Sequence, residues 1–276
     1  MNRTLAFAQY HVKFGEYQLN SESSRSLIEQ APPVDLLVLP ELAFTGYDFP
    51  DAAHLAAVAE PFADGPTGRL LSECAATRNM VIIAGYPEKA ADGHYYNSAM
   101  IALPDGAMHN YRKVHLFNRE NDFFTPGDAP PRVIDTPAGR IGTMICFDWF
   151  FPEVARILAV QGAQIIAHPS NLVLPHCQRA MYARSVENHV YTVTANRIGT
   201  ETQSGRTITF TGGSQVLSPT GECLASAGTD ETALLTARVD LSAADAKQIN
   251  PHNHLMHDRR VDLYSDLLTP AKAPRS

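Results

Sequence analysis

The stretches VDLLVLPE (34–41) and VIIAGYPE (81–88) are almost uninterrupted runs of apolar residues. A strand with one wet face alternates polar and apolar side chains; a run without alternation is covered on both faces. Each run is also far shorter than the ~18 apolar residues of a membrane span. Whatever fold the chain adopts must therefore lay material on both sides of a sheet. Further strands are expected at TLAFAQY (4–10), QIIAHPSN (164–171), VYTVTANRIG (190–199) and TALLTARVD (232–240). Hairpins are expected at 94–113, 132–147 and 212–228, turning at Pro104-Asp105-Gly106, Pro137-Ala138-Gly139 and Pro219-Thr220-Gly221. Asp-Gly supplies the positive φ that a tight hairpin needs. The covering material is equally visible. Segments 19–31, 67–80, 152–163 and 176–189 have helical spacing, and Pro152 at a first turn with Gly162 near the end frames one of them. Hairpins mixed with βα units predict an α/β fold of layered sheets covered by helices.

Nothing along the 276 residues marks a linker or a repeat. A single domain over 1–276 is expected, with 266–276 (ending in TPAKAPRS) as a loose or partner-contacting tail. The net charge of −7 and the lack of a basic run argue against nucleic acid or an anionic membrane as partner. The four cysteines form no C-x-x-C pair, so they read as reduced thiols and not as a zinc knuckle or disulfide framework. The N-terminal segment lacks the apolar core of a secretory signal, which predicts a soluble cytoplasmic protein.

Three reactive side chains stand where an apolar strand gives way to a loop: Glu41, Lys113 and Cys146. Open α/β sheets gather their sites at such carboxyl ends. A thiol that attacks, a carboxylate that moves protons and an ammonium that holds developing negative charge make a covalent apparatus. Singly, each has an ordinary structural role: a small buried hydrophobe, a surface acid, a solvated cation.

The words around these residues change the weighing. LPELAFTGYD (39–48), YRKVHLF (111–117) and ICFDWFFPEVARILAVQGAQIIAHPSN (145–171) together resemble the nitrilase superfamily of carbon–nitrogen hydrolases. The likeness continues through RSVENHVYTVTANRIG (184–199) and FTGGSQVLSPTGE (210–222). It implies a four-layer αββα sandwich, two mixed sheets flanked by helices, carrying a Glu-Lys-Cys triad. Glu41 then matches the general base, Lys113 the lysine and Cys146 the nucleophile. Glu120, in NRENDFFTPG (118–127), matches an accessory carboxylate. The backbone N–H of Phe147 is the expected partner of Lys113 in holding an oxyanion. Tyr47, Trp149, Phe150, His168 and Asn171 are candidates for the pocket wall.

The resemblance implies cleavage of a non-peptide carbon–nitrogen bond in a small amide through a thioester. No metal or organic cofactor is expected. The same triad serves nitrilases and N-carbamoyl hydrolases, and those remain alternatives. Cys-Phe-Asp at 146–148, where nitrilases commonly carry Cys-Trp-Glu, favours an amide. A catalytically silent binding protein on the same scaffold is the rival of another kind. A homodimer or larger homo-oligomer is expected through 151–163 and 176–189. Four subsidiary readings complete the set. His168 is expected in a structural hydrogen bond, Asp148 as an orienter of backbone, Cys177 as inert, and Arg184 with Glu187 as a helix-supporting pair. Arg112, Arg119, Arg179 and Arg197 are candidates for binding a substrate carboxylate.

Overall fold

A computed structural model describes residues 1–270. Two six-stranded mixed sheets lie face to face with helices on their outer sides, as the αββα expectation required. The first sheet takes β1 (Asn2–Gln9), β2 (Leu36–Val38), β3 (Val81–Lys89), β4 (Tyr95–Ala102) and β5 (Met108–Arg112). The second takes β6 (Val133–Thr136), β7 (Gly139–Thr143), β8 (Ile165–Pro169) and β9 (Tyr191–Ala195). A two-stranded ribbon, β10 (Thr200–Glu201) with β11 (Ile208–Thr209), stands outside both. The hairpin β12 (Gln215–Leu217) and β13 (Cys223–Ser226) completes the second sheet, and β14 (Ala233–Asp240) returns to the first. The orders are β14-β1-β2-β3-β4-β5 and β13-β12-β9-β8-β7-β6.

The unbroken apolar runs have their reason in this layering. Along β2 and β3, Leu36, Val38, Val81 and Ile83 point into the space between the sheets, against residues such as Ile165 and Ala167 of β8. Their neighbours Leu37, Ile82 and Ala84 point outward, onto Ile28 of helix α1 (Tyr17–Gln30) and Leu71 and Ala75 of α3 (Pro66–Arg78). With about 1.5–3 kcal/mol for each fully buried aliphatic side chain, neither face tolerates a polar residue. Helix α5 (Pro152–Val160) packs Val154, Ala155 and Leu158 on the second sheet, with Met181 of α6 (Cys177–Asn188) beside them.

Direction matters most for function. β1, β2 and β3 run parallel, as do β7, β8 and β9. β5 is antiparallel to β4, and β4 to β3, so β5 runs with β2. The loops after β2 and β5 therefore leave the first sheet on one side.

Several details differ from expectation. Only Leu36–Val38 of 34–41 is strand, and Glu41 lies in the turn beyond it. Helix α2 (Ala52–Val58), capped where Asp51 accepts the His54 N–H at 3.0 Å, was not read from the sequence. Neither were the ribbon, the short α4 (Glu120–Phe123) or the 3₁₀ turn opening at Cys146. The expected tail, 266–276, begins within a 3₁₀ turn, Ser265–Leu268, and 271–276 lie outside the described residues. Among the described residues no helix is long and apolar enough to cross a membrane, and all four cysteines are free.

Candidate active site

Glu41 sits on a turn held against β3. Gly85 accepts from Ala43 N–H and donates to Pro40 O, both at 3.0 Å. A Cβ at Gly85 would lie 2.5 Å from the Glu41 Cα, so the close approach requires glycine there. Lys113 follows the last residue of β5, and its N–H still bonds the Asn97 carbonyl of β4 at 2.8 Å. Cys146 lies three residues past β7 and opens a 3₁₀ turn. Three non-glycine residues at positive φ mark these loops: Leu42 at 47°, Asn118 at 50° and Cys146 at 40°. Such conformations cost about 1–3 kcal/mol each and persist where surrounding contacts impose them.

The contacts are identifiable. Asp148 accepts the Ile145 N–H at 2.9 Å and the Tyr111 hydroxyl at 2.8 Å through one oxygen. Its other oxygen meets His115 N–H at 3.1 Å and His115 Nδ1 at 2.9 Å. The YRKVH and ICFDW words are thus tied together by one buried carboxylate, which is the backbone-orienting role expected of Asp148. Fully buried His168 places Nε2 at 2.9 Å from the Cys146 carbonyl oxygen and Nδ1 at 3.1 Å from Thr194 Oγ1. A carbonyl only accepts, so Nε2 carries the hydrogen and Nδ1 accepts from the hydroxyl. Burial lowers the His168 pKa to about 4, so the ring stays neutral and acts as a fixed strut. Arg184 pairs with Glu187 at 2.8 Å as expected, and also donates to the Trp149 carbonyl at 3.1 Å. Cys177 is buried at the start of α6, where burial pushes its thiol up.

Glu41, Lys113 and Glu120 form one buried cluster. Lys113 Nζ lies 2.7 Å from Glu41 Oε1 and 2.8 Å from both oxygens of Glu120. Asn97 Nδ2 donates to the same Glu41 oxygen at 2.7 Å. The other Glu41 oxygen, Oε2, is buried with no partner among the described residues. Burial alone would lower the Lys113 pKa; the Glu120 and Glu41 carboxylates outweigh it and hold the ammonium charged. Burial pushes Glu120 up to about 7, with Lys113 pulling down and Glu41 pushing further up. Burial and the Glu41 charge push the Cys146 thiol well above its usual range, against Lys113 and a hydrogen bond from the Asn171 backbone. The resting sulfur is therefore a thiol, and it would need a base to take its proton before it could act as a nucleophile.

Cys146 opens on a crevice of about 10 Å³, roughly one water, walled by Phe117, Phe147, Trp149 and Asn171–Leu174. The amide group of Asn171 is buried there with neither Nδ2 nor Oδ1 partnered among the described residues. A larger cavity of about 290 Å³ adjoins it, sharing Phe117 and Val173, and contains Tyr47, Asp48, Glu120 and Phe123. Tyr47 spends its hydroxyl on Glu120 Oε1 at 2.8 Å, so it supports the cluster as well as lining the wall. Phe150 is half-exposed and His168 lies beneath the Cys146 backbone; neither is among the crevice residues. Of the arginines weighed from sequence, Arg112 is engaged by Glu88 and Asp128, and Arg197 is buried against Glu201. Arg179 lines neither space. Arg119 lines the larger cavity but donates to the Phe49 and Pro50 carbonyls. Arg206, which the sequence reading passed over, also lines that cavity, and no carboxylate lies within salt-bridge reach of it among the described residues. The ribbon that brings it there is only two residues per strand, too short for any periodic signal.

Comparison with known proteins identifies the family. Residues 4–248 match the family model described as Carbon-nitrogen hydrolase. The chain is 42% identical over 262 residues to a nitrilase of Pyrococcus abyssi, covering 94% of this chain and 98% of that one. Its structure is similar to a carbon-nitrogen hydrolase from Helicobacter pylori G27, with a TM-score of 0.88, 29% identity and coverage of 98% and 99%. It is also similar to a mutant amidase from Nesterenkonia sp. AN1, with a TM-score of 0.80, 26% identity and 96% coverage of each chain. In that structure the acetamide moiety of fluoroacetamide is added covalently at the active site cysteine.

Proposed function

The chain belongs to the carbon–nitrogen hydrolase family, and from that premise we propose that it cleaves the carbon–nitrogen bond of a small amide through a thioester on Cys146. The observation that carries this reading is the buried Oε2 of Glu41, unpartnered among the described residues, on a carboxylate whose other oxygen is occupied by Lys113 and Asn97. One oxygen is anchored and the other is left to take a proton.

The reaction follows from the residues. Cys146 Sγ attacks the amide carbon while Glu41 Oε2 takes the thiol proton. The carbonyl oxygen becomes an oxyanion held by Lys113 Nζ and the backbone N–H of Phe147; losing one such donor costs about 3–4 kcal/mol in the barrier. The tetrahedral intermediate collapses, the carbon–nitrogen bond breaks, and Glu41 returns the proton to the leaving amine. A water then attacks the thioester, giving its proton to Glu41 and positioned by Glu120, and the acid departs as the thiol re-forms. The Asn171 amide, unpartnered among the described residues and beside Cys146, suits hydrogen bonding to the substrate, and Trp149 and Phe147 enclose its apolar part. A cavity of about 290 Å³ is at the lower end for ligand sites and favours a compact substrate.

A nitrile is the second reading, favoured by the 42% identity to a protein named nitrilase. Attack on C≡N would give a thioimidate first. An ammonia-release screen of small aliphatic amides, N-carbamoyl compounds and dinitriles separates these readings. Amide turnover without nitrile turnover supports the first; nitrile turnover alone replaces it. Carbon dioxide released with the ammonia points to an N-carbamoyl substrate. Assembly through α5 and α6 is part of the same proposal. Ile157, Val160, Tyr182 and Val186 are exposed apolar residues on those helices, and light scattering reads the oligomeric state.

A further inference from the structure

Glu201 and Arg197 form a fully buried ion pair, 2.6 Å apart, that the reaction above does not use. The arginine lies over the Phe210 ring at 4.0 Å, and its Nη2 donates to the Val12 carbonyl. Its Nε has no partner among the described residues. Burying two charges with hydrogen-bonding capacity to spare is a poor source of stability, because desolvation can exceed the attraction gained. The pair does something else with its geometry. The Glu201 carboxylate accepts two consecutive backbone N–H groups, Tyr47 at 3.1 Å and Asp48 at 2.7 Å. Gly46, immediately before them, has φ of +84°, and a Cβ there would lie 2.7 Å from Phe14 Cα and 2.9 Å from Glu201 Oε1. The Tyr47 ring meets Phe210 edge-on at 6.0 Å, so the same aromatic ring braces the arginine and the tyrosine. At the far end of that tyrosine, the hydroxyl donates to Glu120 at 2.8 Å.

We propose that the Arg197–Glu201 pair is a remote positioning device, which fixes the Tyr47 backbone so that the tyrosine hydroxyl stays on Glu120 and favours its ionised form. Tyr47 and Glu201 are thus positioning residues for the cluster. The inference rests on the reading above for its consequence to catalysis, and on the Tyr47–Glu120 contact, independent of that reading, for its effect on Glu120. The charged and titratable groups facing Glu120 are Lys113 from the end of β5, Glu41 from the turn after β2, Tyr47, and the Cys146 thiol beyond Lys113. Of these, Lys113 and Tyr47 stabilise the carboxylate and Glu41 opposes it. Weakening the tyrosine contact must therefore move the Glu120 titration to higher pH.

The test is carboxyl carbon NMR of protein labelled at glutamate Cδ, with the Glu120 signal assigned through Glu120→Gln. Titrations compare wild type, Tyr47→Phe, Glu201→Gln and the double variant, with circular dichroism checking each fold. The Glu120 midpoint should rise by about 0.5–1 pH in Tyr47→Phe and by a smaller amount in Glu201→Gln. The double variant should rise no further than Tyr47→Phe alone, because both substitutions act through one contact. Should Glu201→Gln fail to fold, Glu201→Asp keeps the charge, shortens the reach and should raise the midpoint in the same sense. An unmoved midpoint in the folded Glu201 variant, or additive shifts in the double variant, overturns the proposal. The acid limb of propionamide hydrolysis should move in parallel. A wild type that releases no ammonia from any amide counts against the catalytic reading, while the NMR shifts still decide the positioning role.

Discussion

Lys113 and Glu41, 72 positions apart in the chain, meet with 2.7 Å between Nζ and Oε1, and neither side chain is exposed to solvent. The ammonium also neutralises Glu120, so one cation serves two buried carboxylates. Removing it leaves charge uncompensated in the interior, which makes this lysine a structural element apart from the chemical role proposed for it.

Lys113→Met is therefore expected to abolish turnover and to destabilise the fold by about 3–5 kcal/mol at pH 8. Glu120 is already pushed up to about 7 by burial, and losing Lys113 raises it further. A carboxylate with a raised folded pKa contributes stability at low pH and loses it as pH rises through that value. Urea denaturation of the variant should thus show a smaller deficit at pH 5.5 than at pH 8. Equal deficits at both would contradict the shared-cation arrangement.

Activity should carry an acid limb with a midpoint near 7, rising with pH as Glu120 loses its proton. Below that midpoint Glu120 no longer opposes the Lys113 charge, nor could it orient water as an anion in the proposed reaction. The macroscopic value belongs to the coupled cluster, so the diagnostic is a comparison of kcat/KM profiles for wild type and Glu120→Gln. The limb should vanish in the variant, with kcat lowered by about 10²-fold or more.

Asp148→Ala should lower kcat by about 10²-fold and cost about 3 kcal/mol of stability, although Asp148 takes no part in bond making. The substitution orphans the Ile145 N–H and the Tyr111 hydroxyl and frees the segment that holds Cys146 at positive φ. Tyr111→Phe removes one of those contacts and should cost about 1 kcal/mol with a milder kinetic effect. Denaturation midpoints and steady-state rates check both.

Much of this arrangement was legible in the chain. Leu36–Val38 and the first part of Val81–Lys89 read as strands covered on both faces because their side chains pack against the second sheet and against α1 and α3. The PEL, YRK and ICFD words located the three candidate residues because each follows closely on the end of a strand, and because the words around them resemble those of a known family. Contacts between distant segments left no such trace. That Asn97 bonds Glu41, that Tyr47 bonds Glu120, and that Glu201 reaches back across 154 positions to the Tyr47 N–H depend on sheet order and loop paths. Arg206 was missed for the same reason: a two-residue ribbon strand has no periodicity, and only the folded path brings it to the cavity.

The covalent step is the centre of the proposed mechanism and can be weighed directly. Wild-type enzyme mixed with a small amide, quenched in acid within the first turnover and digested, should yield one acylated peptide, carrying the added mass on Cys146. Cys146→Ala should give neither adduct nor ammonia while keeping a wild-type melting curve. An acyl group on any other residue, or ammonia release continuing in Cys146→Ala, would contradict the mechanism at its first bond.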